Sequence, residues 1–258
     1  MASARLPETL RVALEGGIAR ITLANPAKLN ALDAAMIEAL GASIRDLSAD
    51  PALRAVVLTG EGTKAFSGGV DVNELGATTP QTARAGITRL HDCISAVREC
   101  PVPVIARVNG YCIGGALELA AACDLRIAAD HARFGMPEVR LGIPSVIEAA
   151  LLPRLMGAGR ARWLLLTGEL IDAAEALHWG LVERVVPAQG LDAEVDATLA
   201  AILAGGAEAI RAQKRLNRAY EELPFAAAVA LSIDAFEASY ATGEPARLIG
   251  DYLRRKRK

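Results

Sequence analysis

The chain has 258 residues, 52% of them hydrophobic and 22% charged, enough to bury a full core as one large domain or one domain with an appendage. A formal net charge of -2 gives no electrostatic draw toward nucleic acid or an anionic membrane, and only the terminal LRRKRK is strongly basic. Cys93, Cys100, Cys112 and Cys123 lack metal-ligand spacing and read as reduced thiols; without a signal-peptide core in MASARLPETL or an apolar run of about 20 residues, a soluble, cytoplasmic protein is expected.

LRVALEGGIARITLA alternates apolar and polar positions on both sides of a glycine pair, which predicts an opening β-hairpin. Asp33 is placed to cap a helix reaching about Leu47, and RAVVLTG reads as a short buried strand. The glycine-bearing loop FSGGVDVNEL follows, where Asp71 reads as an N-cap with Glu74 completing the box. GATTPQTARAG is the expected mobile loop, and a helix is predicted from about Gln81 to Glu99. CPVPVIARVNG gives another strand and a turn at Asn109-Gly110, YCIGGALELAAACDL a helix opening at Gly114-Gly115, and DLRIAAD a further strand. From Ser145 onward the pattern is helical, interrupted by a β-like segment at GLVERVVP. The class is therefore α/β, with a C-terminal helical region from about Leu191.

Two glycine-bearing turns that each open a helix present backbone N–H groups with no internal partners, and two facing turns could hold one oxyanion. A single glycine pair more often serves only a tight turn. Glu118 sharpens the reading, being the sole charge in an apolar run and three residues past Gly115, hence on the same helix face. It is a candidate acid or base, the alternative being a structural ion pair with Arg107, Arg126 or Arg140. Glu138, in FGMPEVRLGIP, is an ordinary loop carboxylate when taken alone. Two carboxylates beside an oxyanion site would suit addition or removal of water at a polarised double bond.

In this order the stretches NPAKLNALD, AVVLTGEGTKAFSGGVDVNEL, PVIARVNGYCIGGALELAAACDLRIAAD, FGMPEVRLGIP and LLTGELIDAAEALHWGLVERVVP resemble the crotonase, or enoyl-CoA hydratase/isomerase, superfamily over roughly residues 10 to 187. The resemblance implies a ββα spiral core over residues 1–190 and a helical oligomerisation region over residues 191–258 of the same fold, assembled as a homotrimer or homohexamer. It implies an acyl-CoA substrate, coenzyme A being part of that substrate, and no metal or other cofactor. Matched residue by residue, the oxyanion-hole N–H groups fall at Val70 and Gly115. The CoA-lining backbone falls at Ala27, Lys28 and Leu29 and along Gly68, Gly69, Val70, Asp71 and Val72. The hydratase glutamates fall at Glu118, for activating water, and Glu138, for the proton on the α-carbon.

One stretch departs from the family: where hydratases commonly carry a glycine-rich IPGxGGxxRL-like segment, this chain reads IPSVIEAALLPRL. Ser145 and Glu148 have the spacing of a capping box, which is preferred over a third active-site carboxylate, and Val146 and Ile147 are expected to reshape the acyl pocket. The favoured activity is hydration of a 2-enoyl-CoA. The rivals are a δ-isomerase using Glu138 alone and, outside that class, a non-catalytic or RNA-associated relative. The short tail without interleaved aromatics argues against nucleic acid, and the scattered His91, His131 and His178 form no metal or triad pattern.

Overall fold

The structure, a computed structural model, describes residues 6–256; the first five residues of the opening segment and the last two of the basic tail lie outside it. Leu10–Glu15 (β1) and Ile18–Leu23 (β2) form the expected antiparallel hairpin. Asp33 caps α1 (Ala34–Ser48) by accepting the Met36 N–H at 2.8 Å, and Met36, Ile37, Leu40 and Ile44 bury one face at helical spacing.

A strand-strand-helix pattern then repeats. Ala55–Gly60 (β3) and Ala65–Ser67 (β4) lead into α2 (Val72–Gly76) and α3 (Pro80–Glu99), and Val104–Val108 (β5) and Tyr111–Ile113 (β6) lead into α4 (Gly115–Ala122). Leu125–Ala129 (β7) and Arg133–Gly135 (β8) begin the third turn, followed by α5 (Leu152–Met156), α6 (Ala158–Thr167), Leu170–Asp172 (β9), α7 (Ala173–Trp179) and Arg184–Val186 (β10). The five longer strands and the three-residue β10 order as β1-β2-β3-β5-β7-β10, parallel from β2 onward; the other four three-residue strands form a second sheet, β4-β6-β8-β9, antiparallel only at β8-β9. This is the α/β spiral that the resemblance implied.

A parallel sheet needs cover on both faces, and the alternation of buried side chains supplies it. Val56, Leu58, Val104 and Ala106 join the core that includes buried residues of α1 and α3, while Val57, Ile105 and Ile127 meet Leu191, Val195 and Leu199 of α8 (Leu191–Leu203) on the other face. The chain ends in α9 (Ala207–Glu222), α10 (Phe225–Ala241) and α11 (Glu244–Lys256).

The expected mobile loop at residues 76–86 is corrected in its second half. Pro80 occupies the first turn of α3, and Thr82 Oγ1 accepts the Thr79 N–H at 2.9 Å, so the helix starts inside that stretch. Asn109 does more than mark a turn: its amide donates to Gly60 O at 2.9 Å and Gly62 O at 2.7 Å. Asn30 donates to Glu61 O at 3.0 Å, and both amides reach Ala65 O, Asn30 at 2.9 Å and Asn109 at 3.1 Å. Both side chains are buried: Asn30 ties the β3-β4 corner to the NPAKLN segment, and Asn109 ties it to the β5-β6 turn.

Candidate active site

The stretch Gly68 to Val72 lies against the segment before α1. The Gly68 N–H donates to Leu29 O at 2.8 Å, and Lys28 Nζ sits 2.8 Å from Asp71 Oδ2, so the two stretches matched to CoA binding are neighbours. The hydrogen bond from Lys28, then the Asn73 backbone N–H, holds the Asp71 carboxyl down to about 2, and the same contact raises Lys28. Asp71 caps α2 through the Asn73 N–H at 2.8 Å as expected, but Glu74 does not complete the box; it accepts the Ala34 N–H at 3.0 Å, at the start of α1.

Leu32 forms an isolated parallel bridge with Val70: its N–H donates to Gly69 O at 2.8 Å, and Asp71 N–H donates to Leu32 O at 3.0 Å. Both bonds flank Val70 and leave its own N–H directed to the other side. Gly115 opens α4, where a first-turn N–H has no partner within the helix. Among the described residues neither N–H donates to a protein acceptor. The turns touch: Gly69 has φ +92, and a Cβ there would lie 2.7 Å from Ile113 O and 3.8 Å from the Gly115 nitrogen. A Cβ on Gly115 would meet Val70 Cγ2 at 3.3 Å and Leu90 Cδ2, from α3, at 3.2 Å.

Both candidate glutamates converge here. Glu118 Oε2 lies 4.0 Å from the position a Gly115 Cβ would take, and Glu138 Oε1 lies 2.5 Å from that of Gly114. Glu118 is buried, and none of the three proposed arginines pairs with it: Arg107 meets Asp192, Arg126 meets Glu183, and Arg140 donates to Thr167 O. Its Oε1 instead accepts the Ala149 N–H at 3.1 Å. Burial first, then the charge of Glu138, pushes the Glu118 carboxyl up to about 8, so Glu118 favours its protonated form near neutral pH. Glu138, in the 3₁₀ turn Pro137–Leu141, is oriented by Ser145, whose Oγ donates to Oε2 at 2.8 Å.

With this geometry in place, comparison with known proteins is decisive. The profile of the Enoyl-CoA hydratase/isomerase family matches residues 13–255. The chain is an enzyme of the enoyl-CoA hydratase/isomerase family. It is 41% identical over 217 residues to a Mycobacterium bovis protein named "Probable enoyl-CoA hydratase echA8", covering 83% of each chain. It is 33% identical over 251 residues to the crotonyl-CoA hydratase of Syntrophomonas wolfei, covering 97% of this chain and 96% of that one. Among solved structures, Pseudomonas aeruginosa DspI matches with a TM-score of 0.94 at 30% identity, covering 98% and 97% of the two chains.

In this family member the segment replacing the glycine-rich stretch corrects the expected capping box. Val146 stays extended and the 3₁₀ turn Ile147–Leu151 starts one residue late, so Ser145 is not the cap and is spent on Glu138. Glu148 turns inward, buried, with Oε1 hydrogen-bonded to His91 Nδ1 at 2.8 Å and Oε2 without a partner among the described residues. His91 therefore leaves the group of unassigned histidines. Its signal in the sequence was weak, since its partner lies 57 positions away. Leu29, Val72, Ile87, Val139 and Ile143, on segments that contribute to the site, stay more than a third exposed. A cavity of about 290 Å³ adjoins Leu29 and Asn30, lined also by Glu61, Thr63 and Lys64.

The four cysteines are free and buried, and burial pushes the Cys93 and Cys123 thiols up to about 12, which leaves them unreactive. No helix among the described residues is long and apolar enough to cross a membrane.

Proposed function

We propose that the protein is a hydratase that adds water across the double bond of a 2-enoyl-CoA, acting as a homotrimer or homohexamer. The observation that carries this reading is the convergence of Glu118 and Glu138 on the Gly114-Gly115 turn, beside two unspent backbone N–H groups. In this reading the thioester oxygen accepts from the N–H groups of Val70 and Gly115, which stabilise the enolate-like oxyanion as charge builds on it. The CoA moiety runs along Ala27, Lys28 and Leu29 and the backbone of Gly68 to Val72.

Water addition needs one group to take a proton from water and another to give one to the α-carbon, and two carboxyl groups, one acting as base and the other as acid, meet both needs. The family resemblance assigns the water to Glu118 and the α-proton to Glu138. Burial favours the protonated form of Glu118, so Glu118 must release that proton before it can accept one from water. The cycle uses neither metal nor redox cofactor.

Loss of the enoyl-thioester absorbance, followed across acyl chain lengths, tests the reading. Wild type is expected to turn over 2-enoyl-CoA, and Glu118→Gln and Glu138→Gln each to lose about 10²–10⁴-fold in kcat. A Glu118→Gln variant that retains double-bond migration would favour an isomerase using Glu138 alone. Absence of turnover in wild type on every 2-enoyl-CoA would refute the hydratase. The bulkier IPSVIEAALL segment is expected to shift preference away from crotonyl-CoA; an ordinary preference for it would show that the segment leaves the acyl pocket unchanged.

A further inference from the structure

We propose that Glu148, held by His91, is a positioning residue for Glu118: it keeps a second carboxylate beside the buried acid and so fixes where the proton of the site rests. This deepens the hydratase reading and rests on Glu118 acting in it.

Three observations carry the proposal. The 3₁₀ turn that presents Glu148 also holds Glu118, through the Ala149 N–H at 3.1 Å, so the two carboxyls share one support. The turn is bent on purpose: Ile147, a β-branched residue, sits at φ +40, a conformation that persists only where surrounding contacts enforce it. The carboxylate so placed is 8% exposed, with one oxygen on His91 and the other unpartnered among the described residues, an arrangement that core packing alone would not favour.

The surrounding charges are few. Glu118 faces Glu138 and Glu148, with N–H groups from Val146 and Ala149. Glu148 faces His91, Arg98 and Cys93 of α3 and Glu118 of α4. Burial raises the Glu148 carboxyl, and His91 and Arg98 draw it back toward its charged form. That charge in turn raises Glu118.

The test is the pH dependence of kcat and kcat/KM on a 2-enoyl-CoA for wild type, Glu148→Gln, His91→Ala and the double variant. Without the Glu148 charge, Glu118 ionises more easily, so the limb that titrates it moves to lower pH by roughly one unit. In His91→Ala the buried Glu148 loses its hydrogen bond and takes up a proton, so the limb moves the same way. The double variant should move no farther than Glu148→Gln. A limb that stays in place while the rate falls at every pH, or that moves to higher pH, overturns the proposal. His91→Ala, at a half-exposed position, carries the test alone if Glu148→Gln does not fold. An infrared titration of the protonated Glu118 carbonyl band, assigned by its loss in Glu118→Gln, reads the same shift without turnover. Shift without turnover would sink the hydratase and keep the positioning role; turnover without shift would do the reverse.

Discussion

Gly114 sets the distance between backbone and acid in this site. Its φ of +55 suits glycine, and an added Cβ would stand 2.5 Å from Glu138 Oε1, too close for the carboxylate to remain where Ser145 holds it. Gly114→Ala is therefore expected to lower kcat by about 10²-fold through displacement of Glu138, and to cost about 1–3 kcal/mol of stability while unfolding stays cooperative. Steady-state kinetics and a thermal melt check it together; an unchanged kcat would show that the position of Glu138 is not limiting. At this scale the sequence was readable where a residue stood out from its neighbours. Glu118 is the lone charge in an apolar helix, and that alone marked it. Glu138 needed a family motif, and Ser145 was given the wrong partner. A hydroxyl or amide shows its type in the sequence but not which of several chain segments will come within 3 Å of it.

Elements were legible in proportion to their length. The hairpin, α1 and the buried strands β3, β5 and β7 carry a period or a run of several residues, and Asp33 announced its helix. The strands of the second sheet have three residues each, too few to show a period, and their pairing depends on where the longer strands have already placed them. The helical end reads easily as helix, but its attachment does not. Lys214 of α9 is buried, donating to Asp124 Oδ2 at 2.7 Å and Val102 O at 2.9 Å, and Asp124 also accepts the Val104 N–H at 2.7 Å. Lys214 is buried but Asp124 is partly exposed, so water can reach the stranded carboxylate, and Lys214→Ala should cost about 1–3 kcal/mol, seen as a lower denaturant midpoint. A midpoint equal to wild type would mean that α9 is held by its apolar contacts alone.

Among the described residues, the last two helices each leave an apolar stripe without cover. Ile233, Phe236 and Tyr240 follow one another at helical spacing on α10, and Ile249, Tyr252 and Leu253 do so on α11; all are about half exposed or more. Monomeric proteins seldom leave such stripes open, which supports the proposed homotrimer or homohexamer. Sedimentation should give a mass of three or six 27.0 kDa protomers, and Phe236→Glu should shift it toward one. A wild-type mass of 27.0 kDa would refute the assembly.

The bridge between Leu32 and Val70 has a consequence for how such an enzyme diverges. The N–H it turns outward belongs to every amino acid except proline, so the reactive atom proposed at position 70 is written in the path of the chain and in no particular letter. The Val70 side chain packs against the core and its Cγ2 approaches the Gly115 turn, so a side-chain substitution there would report that packing and not the N–H. Proline at this position removes the donor at the cost of a changed backbone, whereas exchange of the peptide nitrogen for an ester oxygen removes it with the side chain kept.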